Sequence, residues 1–189
     1  MIEAWKGKFG NDYTERNTNS KGREIMFLRI LESLHEIPKS ILEVGSNRGL
    51  NLDVLSGLTD ARLIGLEPNE YARSQIKHEA IEGTAQFIPV FDNSVDMVFT
   101  CGVLIHINPD DLKQACDEIY RVSSKYIVCI EYFSDKPEEI EYRGQRGLLW
   151  KRDFGSFWMD NYKLKLVDYG FFWKRTTGLD NLTYWIFMK

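Results

Sequence analysis

Cysteine is scarce in this sequence, and the few cysteines do not form a metal-binding pattern. Cys101, Cys116 and Cys129 are odd in number, with neither a CxxC pair nor a Cys/His spacing typical of zinc sites. We therefore do not expect a small protein that is held together by disulfide bonds or by zinc. We expect reduced thiols, no metal site and a cytoplasmic location.

Long apolar runs are also missing. No stretch reaches the roughly 18 apolar residues that a membrane span requires. Near the start of the sequence, Glu3, Lys6 and Lys8 stand where a signal peptide would have its apolar core. We therefore expect a soluble protein without a targeting segment and without a membrane partner.

An excess of positive charge is the third missing feature. The 24 Lys and Arg residues face 28 Asp and Glu residues, and the net charge is −4. Proteins that coat nucleic acids usually carry a basic excess, so we expect no nucleic-acid partner. The length of 189 residues fits one domain, which buries about two thirds of its unfolded surface in a single core.

Aromatic residues, by contrast, are abundant and unevenly placed. Fifteen of the 25 Phe, Trp and Tyr residues lie in 132–189, less than a third of the chain. This part of the sequence and the aromatic residues near the start are therefore candidate locations for a substrate.

Apolar periodicity predicts strands that alternate with helices. Strands are predicted at 41–44, 61–66, 86–88, 95–99, 126–130, 164–167 and 184–188, and helices at 21–36, 50–55, 69–78 and 110–122. This order is typical of βαβ units with a parallel sheet, hence of the α/β class. We expect a single domain over 1–189, with an N-terminal arm (1–20), a cofactor-binding core (41–133) and a substrate-side insertion (134–161).

A glycine-containing loop follows the first predicted strand, in the segment Glu43-Val44-Gly45-Ser46-Asn47-Arg48-Gly49. Such a loop lets a ligand approach the backbone at the carboxyl edge of the sheet. It lacks the glycines of a dinucleotide fingerprint and the Gly-Lys-Ser/Thr of a phosphate loop. Glu43 would also repel a pyrophosphate. The pattern favours a ligand that carries an amine and a positive centre.

A second acidic residue, Glu67, closes the next predicted strand 22 residues after Gly45. A carboxylate at about this distance can accept two hydrogen bonds from a ribose diol. The alternative is a charge that is favourable at the start of the following helix. In combination with the glycine loop we prefer ribose binding.

These motifs resemble the class I S-adenosylmethionine-dependent methyltransferases over about 41–133. The resemblance rests on the glycine loop, on Gly65-Leu66-Glu67-Pro68, and on the segments 91–98 and 102–107. It implies a Rossmann-like sheet of seven strands with helices on both faces and an antiparallel last strand. It also implies S-adenosylmethionine as the cofactor, with the methionine part at the glycine loop and the ribose at Glu67.

The sequence departs from the family pattern in two places. Asn47 replaces the middle glycine, a mild change because Asn tolerates left-handed backbone conformations. Thr84 stands where the family often has an Asp near the adenine amine. The residues that we expect at the cofactor are Glu43, Gly45, Ser46, Asn47, Gly49, Glu67, Pro68, Thr84, Cys101, Trp5 and Tyr13.

A narrower resemblance involves the arm at 5–17 and the segments 142–144 and 151–154. These are similar to small methyltransferases associated with pseudaminic acid and related nonulosonic-acid biosynthesis. The resemblance implies an acceptor that is a sugar or nucleotide-sugar intermediate of surface-polysaccharide synthesis.

Three residues are candidates for catalysis. His106 follows the fourth predicted strand and could act as a base, or it could simply pack in its loop. Glu131 and Tyr132 follow the fifth predicted strand, and a carboxylate there could orient an acceptor hydroxyl. Methyl transfer is an in-line displacement, so positioning alone can supply much of the rate acceleration.

A basic cluster lies among aromatic residues in the predicted insertion. It consists of Arg143, Arg146, Lys151 and Arg152. The cluster could bind a phosphate or carboxylate of the acceptor, because Arg offers paired donors. It could equally be a solvated loop. Similarly, Trp5, Phe9 and Tyr13 could close over the adenosine, or could pin the arm to the surface.

The sequence analysis thus predicts a methyltransferase for a small polar, anionic metabolite, acting as a monomer or homodimer. One alternative is an enzyme of the same fold with other sulfonium chemistry, and another is a non-catalytic scaffold. A nucleic-acid methyltransferase is disfavoured by the net charge. It would also need an Asn/Asp-Pro-Pro-aromatic tetrad, which Asn108-Pro109-Asp110 does not supply.

Overall fold

The computed structural model describes residues 2–189 and is built around one seven-stranded sheet. The strands of this sheet are β1 (Ser40–Val44), β2 (Arg62–Leu66), β3 (Glu79–Ile81), β4 (Val95–Cys101), β5 (Ser123–Glu131), β8 (Lys165–Phe172) and β9 (Leu182–Met188). Two further strands, β6 (Glu138–Glu139) and β7 (Trp150–Lys151), form a separate hairpin.

The helices alternate with the strands along the chain. They are α1 (Ile2–Lys6), α2 (Lys8–Arg16), α3 (Arg23–Ser33), α4 (Leu50–Leu55), α5 (Glu70–Arg73), α6 (Leu112–Val122), α7 (Phe154–Asn161) and α8 (Lys174–Thr177). A short 3-10 helix spans Leu104–His106. Among the described residues, no helix is long and apolar enough to cross a membrane.

The sheet has the strand order β3-β2-β1-β4-β5-β9-β8. Neighbouring strands from β3 to β5 are parallel, whereas β9 is antiparallel to both β5 and β8. The predicted fold class is therefore confirmed, including the antiparallel last strand.

The central strands are almost continuously buried because helices cover both faces of the sheet. On one face, α3 and α4 pack with Phe27, Leu52 and Phe99. On the other face, α6 and α7 pack with Ile119 and Trp158. Side chains alternate along each strand, so every central strand contributes to both clusters.

Several local predictions need correction. Residues 86–88 are not a strand: Gln86 lies in a turn and Phe87 forms an isolated bridge with Thr84, whereas the third strand of the sheet is β3, several residues earlier. The predicted helix at 69–78 shortens to α5. The arm, predicted only as a polar segment, folds into α1 and α2.

The predicted insertion, 134–161, also has more structure than expected. It contains the β6–β7 hairpin and ends in α7, whose Phe154 and Trp158 are fully buried against the sheet. Gly155 lets α7 approach Trp185, since an added Cβ would lie 2.2 Å from the indole Nε1. The end of this segment is therefore part of the hydrophobic core.

Candidate active site

A large cavity lies where the parallel strands end at their carboxyl edge, the position at which open α/β sheets bind ligands. Its volume is about 470 Å³, within the range of small-molecule sites. Its walls come from the ends of β1, β2 and β4, from the turn at 83–86 and from the arm.

The loop after β1 forms a tight turn that only small or flexible residues can adopt. Gly45, Asn47 and Gly49 have φ values of 70°, 49° and 82°, all in the left-handed region that favours Gly and tolerates Asn. A Cβ on Gly45 would lie 2.8 Å from a methyl group of Val103. The turn therefore brings its backbone close to both the cavity and the loop after β4.

Glu67 is buried at the end of β2 and connects two backbone turns. Its carboxylate accepts hydrogen bonds from the Asn47 N–H at 2.8 Å and the Asn69 N–H at 2.9 Å. Burial raises its pKa, an effect opposed by these two donors. Both sequence interpretations hold locally, because Glu67 lines the cavity and also stands just before α5.

Glu43 belongs to a hydrogen-bonded chain beneath the glycine turn. Its Oε1 accepts a 2.5 Å hydrogen bond from the side-chain NH₂ group of Asn51. The side-chain oxygen of Asn51 in turn accepts a hydrogen bond from the Arg23 guanidinium. Its other oxygen, Oε2, is buried without a protein partner. Burial raises the pKa of Glu43 to about 8. All three residues line the cavity.

The arm covers the cavity and is held in place by Asn47 of the glycine turn and by Asn69, which follows β2. The Thr14 hydroxyl donates to the Asn47 side-chain oxygen at 2.7 Å. The Asn69 amide donates to the Trp5 carbonyl at 2.8 Å and to the Asn11 side chain at 2.9 Å. Asn69 also caps α5 by accepting from the Ala72 N–H.

Aromatic rings surround one part of the cavity. Trp5, Tyr13 and His106 line it, with the Trp5 ring centroid 5.3 Å from Tyr13 and 4.7 Å from His106. Phe9 contacts Trp5 from behind, and Tyr142 contacts both Phe9 and His106. We call these five residues the aromatic box.

His106 has a defined tautomer. Its Nδ1 lies 2.6 Å from the Leu148 carbonyl oxygen, which can only accept, so Nδ1 carries the proton and Nε2 has a free lone pair. Burial lowers the pKa of His106 to about 4. The ring is thus neutral at physiological pH, and Nε2 has no hydrogen-bond partner within residues 2–189.

Glu131 and Tyr132, two of the predicted catalytic candidates, are both hydrogen-bonded to other groups of the protein. Glu131 is fully buried, and its carboxylate accepts from the backbone N–H groups of Val103, Leu104 and Ile105 at 3.1, 3.0 and 3.4 Å. The Tyr132 hydroxyl donates to Asp180 at 2.8 Å. Neither residue lines the large cavity. Glu131 instead holds the loop that carries His106.

The predicted basic cluster does not line this cavity either. The structure assigns its members to other surroundings, with Arg143 over Tyr142, Lys151 over Tyr132 and Arg152 over Phe157. Lys151 and Arg152 line a separate cavity of about 110 Å³, which Arg143 and Arg146 do not reach. An acceptor in the large cavity would therefore not meet a four-residue clamp.

The predicted cofactor residues, in contrast, converge. Ten of the eleven line the large cavity, and only Gly49 does not, although it shapes the turn. Thr84, Pro68, Ser46 and Cys101 are among the ten, and burial raises the pKa of the Cys101 thiol to about 12. No group of three or more His, Cys, Asp or Glu residues in the described chain is placed to hold a metal ion.

Sequence reasoning missed several residues of the cavity wall. They are Arg23, Asn51, Asn69, Gln86, Asp111 and Asn17. Arg23 had one detectable signal, because a cation in the first turn of a helix opposes the helix dipole and needs another reason to be there. The remaining side chains are neutral or acidic residues of ordinary helix and turn sequences and gave no such signal.

The sheet order, the glycine turn and the buried acidic end of β2 define the class of this protein as the class I methyltransferase fold. Residues 42–126 match the family model described as a methyltransferase domain. No curated protein matches the sequence.

Several solved structures of similar fold are described as methyltransferases, at low sequence identity to this chain. One is a SAM-dependent methyltransferase from Thermotoga maritima, with 17% identity, full coverage of both chains and a TM-score of 0.70. Another is the 1,6-didemethyltoxoflavin-N1-methyltransferase of Burkholderia thailandensis, solved with its substrate and S-adenosylhomocysteine. It has 13% identity, coverage of 100% of this chain and 84% of that one, and a TM-score of 0.70.

A third is a SAM-dependent methyltransferase from Leishmania major, with 14% identity, coverage of 88% and 71%, and a TM-score of 0.72. These structures share the fold of this chain. The match to the methyltransferase-domain model confirms the predicted enzyme class, a methyltransferase, and the predicted cofactor of that class, S-adenosylmethionine.

Proposed function

We propose that the large cavity binds S-adenosylmethionine and that the protein transfers its methyl group to a small-molecule acceptor. The observation that carries this proposal is the convergence of ten predicted cofactor residues, from five separate segments of the chain, on one cavity. A sequence match alone does not require such a convergence.

The residues present fit the cofactor. Glu43 Oε2 is buried, lines the cavity and has no protein partner, so a ligand ammonium would remove an unfavourable unpaired oxygen. Arg23 beside it suits a carboxylate. We therefore assign the amino-acid end of the cofactor to Arg23, Asn51 and Glu43, and the ribose to Glu67.

The opposite end of the cavity suits the adenine. The turn at 83–86 supplies Thr84 and Gln86 to the wall, and Pro68 and Ile107 add apolar surface. The Thr84 hydroxyl or a neighbouring backbone group takes the place of the acidic residue that the family often has here and that this sequence lacks.

When bound, the cofactor supplies an electrophilic methyl group on a sulfonium. The protein's own residues position and shield this group. The arm covers the cavity and excludes water, while Glu131 fixes the loop that carries His106. The free lone pair on His106 Nε2 can accept a hydrogen bond from the acceptor and orient it. Positioning of this kind suits an in-line displacement.

The predicted acceptor is a small polar metabolite, a sugar or nucleotide-sugar intermediate of nonulosonic-acid or surface-polysaccharide synthesis. The sequence resemblance of the arm supports this proposal, and so do the rings of the aromatic box, which suit the apolar face of a sugar ring. An anionic group on it would find no clamp from Arg143, Arg146, Lys151 and Arg152 in this cavity.

Calorimetry with S-adenosylhomocysteine tests the proposal. We expect micromolar binding to the full chain and a loss of at least tenfold in Glu67→Gln, because an amide cannot accept from both Asn47 and Asn69. The matched control is Glu70→Gln, an exposed acid three residues away that does not line the cavity; it should bind like the parent protein.

Two outcomes would contradict the proposal: absence of binding at high micromolar ligand, or equal binding by the Glu67 and Glu70 variants. Product analysis then separates methyl transfer from other sulfonium chemistry, since only methyl transfer couples a methylated acceptor to S-adenosylhomocysteine release. A scaffold would give neither product.

A further inference from the structure

We propose that the atom methylated by this protein is an uncharged nitrogen, an amine or a ring nitrogen, of a small acceptor held in the aromatic box. The inference rests on the proposed function, because it concerns the acceptor end of the same cavity. It goes beyond that function by naming the nucleophile, and three observations carry it.

The first observation is that the acidic residues near the acceptor end are already engaged. Glu131 accepts three backbone N–H bonds and has no exposed surface. Asp180 is bound to the Tyr132 hydroxyl and to Lys174 at 3.1 Å. Neither carboxylate lines the cavity, so neither is placed to remove a proton from an acceptor.

The acidic residues that do line the cavity serve other parts of it. Glu43 and Glu67 lie at the cofactor positions assigned above. Asp111 lies near the adenine end of the cavity. It stands one helical turn before Gln114, and the side-chain amide of Gln114 donates a hydrogen bond to the backbone carbonyl of Gln86 at that end. None of the three belongs to the aromatic box.

The second observation is that the box itself contains no strong base. Tyr13 keeps its proton, since burial raises its pKa to about 12. The free nitrogen of His106, Nε2, is a weak base, because burial lowers the pKa of the ring to about 4 and Nδ1 donates to the uncharged Leu148 carbonyl. The ring lies between Trp5 and Tyr142, and no carboxylate within residues 2–189 bonds to it to stabilise a protonated ring. An alcohol must lose its proton as it attacks and so needs a matched base. A neutral nitrogen already has a free lone pair.

The third observation is that the box has the surfaces that stabilise a cation. Trp5 and Tyr13 line it with aromatic rings, which attract cations through their quadrupoles. Arg143 lies over the ring of Tyr142 but does not line the cavity, and Arg23 lines it at the amino-acid end assigned above; within residues 2–189, no Lys or Arg lies over the ring of Trp5 or Tyr13. The box is therefore suited to the positive charge that methylation of nitrogen creates.

The step balances without an added base. The nitrogen lone pair forms the new bond to the methyl carbon, the bond from that carbon to sulfur breaks, and sulfur keeps the bonding pair. The positive charge moves from sulfur to nitrogen and stays beside the rings. Any proton on the new ammonium leaves later to water, and His106 Nε2 accepts only a hydrogen bond.

Binding of a charged probe and its neutral isostere tests the inference. The probes are choline and 3,3-dimethylbutan-1-ol, which differ by the exchange of a quaternary nitrogen for a carbon. We expect calorimetry on the full chain saturated with S-adenosylhomocysteine to show at least about fivefold tighter binding of choline. Trp5→Leu and Tyr142→Leu should each reduce this preference, whereas the exposed Trp173→Leu should keep it.

Equal affinity of the two probes, a preference for the alcohol, or no binding of either would overturn the inference. The comparison of the two probes on the parent protein is sufficient to test the inference. Thermal melting shows whether the variants are folded. If S-adenosylhomocysteine itself does not bind, the proposed function fails; if it binds without a cation preference, only the nitrogen assignment fails.

Discussion

At the residue scale, backbone conformation and burial determine how the site is built. Asn47 shows this, because its left-handed backbone turns its N–H toward Glu67 while its side chain accepts from Thr14. A middle glycine could make the first contact but not the second. The departure from the family pattern therefore attaches the arm to the cofactor loop.

Gly45→Ala should destabilise the protein and weaken binding of S-adenosylhomocysteine. The added methyl group meets Val103 and also forces a side chain into a left-handed backbone conformation, and we expect a loss of about 2 to 4 kcal/mol in unfolding free energy. Gly144→Ala is the matched control, because φ is 74° there but nothing lies within 4 Å. Denaturant unfolding measures both, and equal losses would contradict the steric argument.

Glu43→Gln should make the free protein less sensitive to alkaline pH. Burial raises the folded-state pKa of Glu43 to about 8, above the unfolded value of about 4.3. The stability contribution is therefore fully present below pH of about 4.3 and is lost as the pH rises through about 8. The parent should lose on the order of 2 to 4 kcal/mol relative to the Gln variant between pH 5 and pH 9.

Urea unfolding of both proteins at several pH values measures this difference. Glu36→Gln is a suitable control, because this acid pairs with Lys125 at the surface. Parallel pH dependence of the parent and the Glu43 variant would show that the carboxyl is not held in its uncharged form.

At the element scale, the site depends on loops that are held by side chains outside the cavity. The loop after β4 ends in the 3-10 helix with His106, and its three free backbone N–H groups converge on Glu131 at the end of the neighbouring β5. Parallel pairing of these strands brings both ends to the same edge of the sheet.

Glu131→Gln should therefore disturb the loop rather than remove a catalytic acid. An amide offers one acceptor oxygen, so at least one buried N–H loses its partner at a cost of about 1 to 3 kcal/mol. We expect lower thermal stability and a shifted His106 ring signal by NMR. Glu141→Gln, an exposed acid of the neighbouring segment, serves as the control. An unchanged His106 signal with lost activity would instead support direct catalysis by Glu131.

The arm depends on similarly few contacts, and Thr14→Val tests the contact with Asn47. Valine keeps the volume of this buried side chain and removes its hydroxyl. We expect weaker binding of S-adenosylhomocysteine, by about three- to tenfold, and faster proteolysis within 8–16. Thr176→Val, an exposed position, should change neither property. Unchanged affinity would show that the arm does not contribute to cofactor binding.

At the scale of the whole molecule, the sequence predicts the sheet well and the surroundings of the site less well. The strands β1, β4 and β5 are apolar on both faces, so their composition alone predicts a parallel sheet that is covered by helices on both faces. The three-residue β3 carries no such signal, because two of its residues are exposed. Short edge strands depend on their neighbours rather than on their own composition.

The site was predictable only where chemistry depends on the backbone. The glycine turn and Glu67 are recognisable because turn geometry and strand ends restrict residue choice. The position of the basic cluster and the engagement of Glu131 depend on long-range contacts, which no spacing in the sequence encodes. The sequence also did not show that the aromatic residues after 132 pack chiefly in the core around α7 and β9. Of these residues, only Tyr142 belongs to the aromatic box.

Ile2 and Lys189 lie at opposite edges of the sheet, which has a practical consequence for labelling this protein. Ile2, the first described residue, is part of the cavity wall. Lys189 lies at the opposite edge of the sheet, where its ammonium group contacts Asn93 and the Tyr120 and Ser123 carbonyls. A fluorescent label attached at Lys189 would therefore leave the cavity clear, whereas one attached at Ile2 would stand in the cavity wall.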